Sequence, residues 1–251
     1  MRRIIFTFFL LTSALWAQGG VIGPKGVVGP NGTIGFGSSG GSTTFTGGGL
    51  CSSGTTNCAV TLSPAAGYVA GQVLVCFVGS NTFAGNTLSC TDSNSDTFTC
   101  GTVQVNGTAE QGRICVATAG TTNASGTITP TVSNATNFME GAAAVFTSSH
   151  TVVDQQPCGA NFTVTSNVTT GACTTVSASE ILISAFGFST GTGGGYSYGG
   201  GWTVVTGNFA TGSNSAGMMY QVVSSTGTYT GTATALASAT VTGIGVMTTL
   251  Q

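Results

Sequence analysis

The chain has 251 residues, and only 4% of them are charged, where an ordinary globular domain carries about 25%. Four Lys and Arg residues are too few to neutralise the phosphates of a nucleic acid, which excludes a nucleic-acid partner. Six acidic residues and one histidine leave few general acid–base pairs. The composition therefore predicts a protein that is not an enzyme, and no residue pattern indicates a cofactor or a metal.

The N-terminus has the features of a secretory signal peptide. Arg2 and Arg3 form a positive n-region, the apolar stretch Ile4–Leu11 follows, and cleavage is expected after Ala17. Neither this stretch nor any later one reaches the roughly 18 apolar residues of a transmembrane helix. We therefore expect a secreted/extracellular or cell-surface protein with no transmembrane segment. Without residues 1–17 the chain keeps two cations and six acids, a net charge of 2 − 6 = −4.

Residues 18–50 form a Gly-rich segment that differs from the rest of the chain. Pairs of mostly β-branched residues recur in it every six residues: Val21-Ile22, Val27-Val28 and Thr33-Ile34. Three interpretations stay open: a flexible linker, an arm that adds a strand to a sheet edge, and a short collagen-like stretch with few triplets. Residues 38–49 continue as Gly, Ser and Thr and are predicted to be a loop.

From residue 59 onward, short segments rich in Val, Ile, Thr and Phe alternate with turn residues. No window shows the sustained 3.6-residue period of an amphipathic helix. The clearest predicted strands are Gln72–Val78, Gly112–Ala117, Gly141–Thr147, Glu180–Phe188, Ala216–Ser224 and Ala239–Leu250. The sequence therefore predicts an all-β fold: one antiparallel β-sandwich or jelly roll at 51–251, after a signal peptide at 1–17 and a Gly-rich N-terminal arm or linker at 18–50.

The eight cysteines predict a disulfide framework, because their number is even and the chain carries a secretory signal. A metal site is disfavoured by the lack of a C-x-x-C pair. Cys90 and Cys100 flank a symmetrical hairpin and are predicted to pair, since opposed residues of antiparallel strands lie within bridging distance. Of the remaining cysteines, Cys158 and Cys173 flank a second candidate hairpin, and Cys51 and Cys58 bracket a short polar loop. The last two, Cys76 and Cys115, each lie within an apolar strand.

Several short motifs follow one another between residues 60 and 250, among them Cys90-Thr-Asp-Ser-Asn-Ser-Asp-Thr-Phe-Thr and Ala178-Ser-Glu-Ile-Leu-Ile. In order and spacing they resemble a widespread class of secreted bacterial β-sandwich domains of unassigned function. Ser95 and Asp96 stand where that class has Gly-Asn in its hairpin. The resemblance implies a jelly-roll-like fold and supplies no catalytic residues.

Two groups of polar residues suggest chemistry. Asp92 and Asp96 match the start of a calcium loop, but the EF-hand Gly and Glu positions hold Thr97 and Val103. A hairpin turn, in which Asp and Asn bond their own backbone, is the favoured interpretation. His150 has serines and an aspartate nearby, yet no nucleophile elbow is present, so a loop histidine is favoured over a catalytic triad.

The Gly-rich stretch 191–202 contains Tyr196, Tyr198 and Trp202. Exposed aromatic rings on a sandwich loop could stack on sugar rings; the alternative is that Trp202 begins a strand and packs inward. The leading expectation is a non-enzymatic secreted or cell-surface structural protein, with copies of itself as partners through the N-terminal arm. The alternative is a carbohydrate- or surface-binding module, with a glycan held by the three aromatic residues.

Overall fold

The structure is a computed structural model, and it describes residues 27–28, 34–35, 42–81, 86–134, 138–164, 167–189, 196–205, 215–235 and 240–251. These residues form strands and turns, which confirms the predicted all-β, sandwich-like fold. The chain divides into two compact units, Met1–Ser39 and Gly40–Gln251. The predicted signal peptide lies outside the described residues, as does most of the arm.

The strands have the following bounds: β1 Val27–Val28, β2 Ile34–Gly35, β3 Thr44–Ser53, β4 Ser63–Pro64, β5 Val73–Ser80, β6 Leu88–Asp92, β7 Thr99–Cys100, β8 Gln104–Asn106, β9 Glu110–Thr118, β10 Ile128–Val132, β11 Met139–Thr147, β12 Val153–Val164, β13 Asn167–Thr169, β14 Cys173–Thr174, β15 Glu180–Phe188, β16 Tyr196–Tyr198, β17 Thr203–Val204, β18 Ser215–Val223, β19 Thr228–Tyr229, β20 Thr232–Ala235 and β21 Val241–Leu250. In the first unit β1 and β2 form an antiparallel pair.

The second unit is built from two large antiparallel sheets and smaller covering layers. One sheet has seven strands in the order β4-β3-β11-β5-β9-β7, with β8 also paired to β9, and the other has five in the order β12-β21-β15-β18-β17. The pair β6–β10 covers the first sheet, and the three-stranded sheet β13-β20-β16 with the pair β14–β19 covers the second.

The same topology occurs twice along the second unit. In residues 44–147 the long strands lie in the order β3-β11-β5-β9, and in residues 153–250 in the order β12-β21-β15-β18. In each half the first strand pairs with the last, and the half's own covering layer closes a small core. Two buried side chains match in the same way. Gln72 directly precedes β5 and Glu180 begins the equivalent strand β15, and each accepts a hydrogen bond from the backbone N–H of the third residue before it.

The main core lies between the two large sheets. Phe77, Phe146, Ile183, Met218 and Val246 are among its buried side chains. The central strands β5, β11 and β15 are buried on both faces, because a covering layer lies over their outer side chains. This explains why their sequences are continuous apolar runs rather than alternating ones.

The ten-residue strand β3 corrects the prediction of a loop at 38–49, from residue 44 onward. Its glycine run resembles a loop in sequence, yet the chain is extended there and squeezed between neighbouring backbones. A Cβ on Gly48 would lie 2.6 Å from the Ala143 carbonyl oxygen, and one on Gly49 would lie 2.5 Å from that of Thr61. Glycine therefore serves close packing of strands at these positions.

Four disulfides are present, and the predicted pairing of Cys90 with Cys100 is wrong. The bridges are Cys51–Cys58, Cys76–Cys90, Cys100–Cys115 and Cys158–Cys173. Cys90 does not pair with Cys100 because β6 pairs with β10, so no β6–β7 hairpin forms. Cys76 and Cys115 do lie opposite each other on β5 and β9, but each bonds a cysteine of a third strand.

Candidate functional site

The most unusual chemical group in the molecule is a pair of buried carboxyls, Glu110 at the start of β9 and Glu140 near the start of β11. Both side chains lie on the strand faces that point into the main core, and their exposed fractions are 2% and 0%. Glu140 Oε1 lies between Gly79 and Gly187, where a Cβ would be 2.7 Å and 3.0 Å away. The same Cβ on Gly187 would be 3.5 Å from Glu110 Oε1, so the two carboxyls converge on this glycine.

The environment of the pair favours its uncharged form. Phe77 and Ile244 pack around the glycines beside it, and all four carboxyl oxygens lack a hydrogen-bond donor in the described part of the chain. Burial raises the pKa of Glu110 to about 7. Burial, and then the charge of Glu110, raises the pKa of Glu140 well above its ordinary 4.5.

Two adjacent carboxyls in an apolar site cannot both ionise without a large cost, so at least one of them keeps its proton. The neighbouring Phe and Ile side chains offer no oxygen ligands to a cation, and no three His, Cys, Asp or Glu side chains of the described residues could hold a metal ion together. The pair is suited to binding a proton. Its burial separates it from any external substrate.

Sequence analysis did not identify these two residues. Glu140 lies within the apolar run Met139–Phe146, where the alternation of β11 directs its side chain into the core. Glu110 follows a turn and begins a strand that is almost entirely buried. A carboxyl at an inward position of a buried strand was the available signal, but the strand boundaries needed to recognise it came only from the structure.

The Asp92–Asp96 segment forms the predicted kind of turn. Asp92 accepts a hydrogen bond from the Tyr68 hydroxyl at 2.5 Å and from the Asp96 backbone N–H at 2.7 Å. Asp96 Oδ1 accepts the Gly120 N–H at 3.0 Å. Burial, followed by the hydrogen bond to Asp92, raises the pKa of Tyr68. Both oxygens of Asp92 are therefore occupied by protein donors, which supports the turn interpretation over a cation site.

His150 is buried in the connection between the two halves. Its Nε2 lies 3.1 Å from Ser179 Oγ, and its Nδ1 lies 3.1 Å from Ser148 Oγ and 3.3 Å from Thr43 Oγ1. Of the serines and the aspartate near His150 in sequence, Ser148 contacts the ring, whereas Asp154 accepts the Val176 N–H instead. With hydroxyls on both sides and no carboxylate, the ring links three segments and lacks the acid that orients a catalytic histidine.

The three aromatic residues proposed to bind a glycan are only partly described. Trp202 is half-buried and packs against both small cores of the second half, and Tyr198 is half-buried against one of them. Tyr196 begins β16, and its side chain lies outside the described residues. Gly201 has φ of +88° in the turn that joins β16 to Trp202, which explains a glycine there. Glycan binding by this group stays a prediction.

The charged side chains of the second unit are turned away from solvent. Its seven charged residues are all described: Asp92, Glu110, Glu140 and Glu180 are buried, and Asp96, Arg113 and Asp154 are half-buried. The Arg113 guanidinium donates to the Gly101 and Leu88 carbonyls, and burial lowers its pKa. The polar part of the exposed surface is therefore supplied mainly by hydroxyl, amide and backbone groups, as in the Thr174–Thr228 and Thr234–Asn167 contacts, both 2.9 Å.

Among the described residues, no helix has the length and apolar character needed to cross a membrane. The four disulfides indicate that the chain folds in an oxidising, extracellular-type environment. The resemblance to secreted bacterial β-sandwich domains stays a prediction. No protein-family model, curated protein or solved structure matches this chain.

Proposed function

We propose that the protein is a non-enzymatic structural protein, secreted or held at the cell surface, whose copies assemble with one another. The observation that carries the proposal is the inward placement of the charged side chains in residues 40–251. Soluble domains normally carry about 25–35% charged residues on their surface, which keeps copies apart. A surface of hydroxyl and amide groups lacks this repulsion and can make hydrogen bonds to an identical surface.

The disulfides support a load-bearing role in an extracellular setting. Cys76–Cys90 fastens the covering pair β6–β10 to the seven-stranded sheet, and Cys158–Cys173 ties β12 to the covering strand β14. Cross-links of this kind limit the unfolded chain and slow its loss by unfolding and proteolysis. They give residues 40–251 the resistance to unfolding and proteolysis that a secreted structural protein needs.

The test is whether the mature protein associates and how salt affects the association. Sedimentation at low and high salt should show concentration-dependent oligomers with the same association constant, because few exposed charges exist to be screened. The double variant Thr91→Lys/Thr234→Lys adds charges to both covering layers while lowering the net negative charge. It should weaken association, whereas Thr91→Ser/Thr234→Ser should not. Protein that stays monomeric at high concentration contradicts the proposal.

A second candidate function is binding of a neutral carbohydrate surface. The specific observation is that Tyr198 and Trp202 are half-buried rather than fully enclosed, on the layer that presents the exposed Thr234 and Asn167. Trp202 fluorescence should then shift when neutral polysaccharides are added, and Trp202→Ala should lose retention on them while Trp202→Phe keeps part of it. An unchanged spectrum across a broad panel of polysaccharides leaves Trp202 with its packing role alone.

A further inference from the structure

We propose that Glu110 and Glu140, both on the seven-stranded sheet, bind one proton between them, and that this proton keeps their close contact with Gly187 of the five-stranded sheet intact. The protein would then be most stable in an acidic medium and would loosen at this contact as the medium becomes alkaline. The inference does not depend on self-assembly, since both carboxyls lie inside a single chain.

The contact depends on glycines, because a residue without a side chain leaves room for the carboxyls. Along one row of the seven-stranded sheet, Glu140 is opposite Gly79, which is opposite Gly112. The two glycines leave a trough over which the Phe77 ring and the Glu140 carboxyl lie. Gly187 holds the position in the second half that Gly79 holds in the first, so both sheets approach the carboxyl without a side chain between.

In the second half of the unit, the position equivalent to Glu140 holds an apolar side chain. Ile244 is opposite Gly187, just as Glu140 is opposite Gly79. One half therefore fills the contact with an apolar side chain and the other with a carboxyl. An uncharged carboxylic acid is tolerated beside Ile244 and Phe77, while an ionised pair would have to attract water into the core or push the sheets apart.

Among the residues that the structure describes, no other charge faces the pair closely enough to replace the proton. Arg113, on β9 with Glu110, directs its guanidinium to the Gly101 and Leu88 carbonyls. Glu180 lies at the opposite end of β15 from Gly187, and Tyr220 of β18 packs with Phe45 and Phe146. β21 and β8 contribute no titratable side chain. Asp154 of β12, which packs beside β8 and β9, accepts the Val176 N–H instead.

The sign of the pH dependence follows from the direction of the pKa shifts. Both carboxyls have pKa values raised by folding, so the stabilisation is complete below the unfolded value of about 4.5 and is lost as pH rises through the folded value, about 7 for Glu110. Within that window the ratio of folded to unfolded protein should fall about tenfold per pH unit for each proton retained.

Urea unfolding of the mature protein across acidic to alkaline pH tests the proposal. Wild-type protein should lose stability through the window, and E110Q/E140Q should show a flat profile because its amides remain neutral. The control D154N removes a half-buried carboxyl that contacts Val176, and it should keep the wild-type slope. A wild-type profile that rises or stays level from acid to neutral pH overturns the proposal, as does an unchanged slope in the double variant.

A spectroscopic measurement covers the case in which the double variant does not fold. Infrared spectra of wild-type protein with isotope-labelled glutamate should show one protonated carboxyl per chain that persists to neutral pH. The signal should survive in E180Q, which alters the other buried glutamate. If every glutamate carboxyl ionises near its ordinary pKa of 4.5, the pair holds no proton and the proposal is wrong.

Discussion

At the scale of single residues, hydroxyl groups make the polar contacts between segments that ion pairs make in other proteins. His150 is the clearest case, because the hydroxyls of the nearby Ser148 and of the distant Thr43 and Ser179 meet its two ring nitrogens. A hydroxyl both donates and accepts, so it can satisfy either nitrogen of a neutral ring. A buried polar group that is fully bonded in this way stabilises one arrangement of the segments around it.

Replacing His150 should therefore destabilise the fold. His150→Ala removes the buried ring and leaves the half-buried Ser179 hydroxyl without its ring partner, which should cost about 1–3 kcal/mol of unfolding free energy. Urea denaturation measures this loss. Ser149→Ala is the matched control, since Ser149 is exposed in the same connection and should change stability by less than about 0.5 kcal/mol. Equal stability of His150→Ala and wild type would show that the ring links nothing.

At the scale of elements, the sequence identified strands wherever burial alone determines the residues. Glu180–Phe188 was predicted with the bounds that the structure has, because a strand buried on both faces is a continuous apolar run. β3 was missed because its glycines are needed for close packing and not for a turn. The first part of β12 is not among the predicted strands, because it contains Pro157 and passes through a register shift between Gln155 and Cys158.

The wrong prediction of a Cys90–Cys100 bridge has a different cause. Sequence spacing predicts contacts along one hairpin, but Cys76–Cys90 joins two layers and depends on which strand covers which. The Glu110–Glu140 pair was missed for the same reason, because β5 lies between their strands. Contacts that span layers or skip a strand need the topology, and the topology is not encoded in any short window of sequence.

The bridge between layers can be tested against the one within a loop. Cys76→Ala/Cys90→Ala should lower the unfolding free energy by about 2–4 kcal/mol, because the bridge closes a 14-residue separation and fixes a covering strand. Cys51→Ala/Cys58→Ala removes a bridge that closes a separation of only 7 residues, so it should lower the unfolding free energy by less. Denaturant unfolding compares the two variants.

Peptide mapping of the unreduced protein checks the connectivity itself. Pepsin digestion at acid pH suppresses thiol exchange, since the thiolate is the attacking species. Peptides linked through Cys76 and Cys90 are expected, and peptides linked through Cys90 and Cys100 would contradict the arrangement of the layers.

At the scale of the whole molecule, the arm is the element whose removal most directly tests assembly. Within residues 18–36 of the arm, the described strands β1 and β2 pair with each other, and Lys25 is the one charged residue in the sequence of this stretch. Deleting residues 18–36 should leave the unfolding transition of the second unit unchanged and reduce association seen by light scattering. The physical reason is that an extended, uncharged segment can add a strand to a neighbouring sheet, although Pro24 and Pro30 restrict it to an edge. Equal association of the deletion variant would identify the arm as a linker.

The repeated topology of residues 44–147 and 153–250 has a consequence for how the core can change. In a symmetric dimer of separate half-length chains, every substitution at the contact appears twice, once from each subunit. Joining the halves in one chain removes that constraint, so Glu140 can stand opposite Gly79 while its counterpart Ile244 stands opposite Gly187. A symmetric contact would have placed a second carboxyl where Ile244 now packs. Covalent linkage is thus what permits an acidic group on one side of the interior and a hydrocarbon on the other.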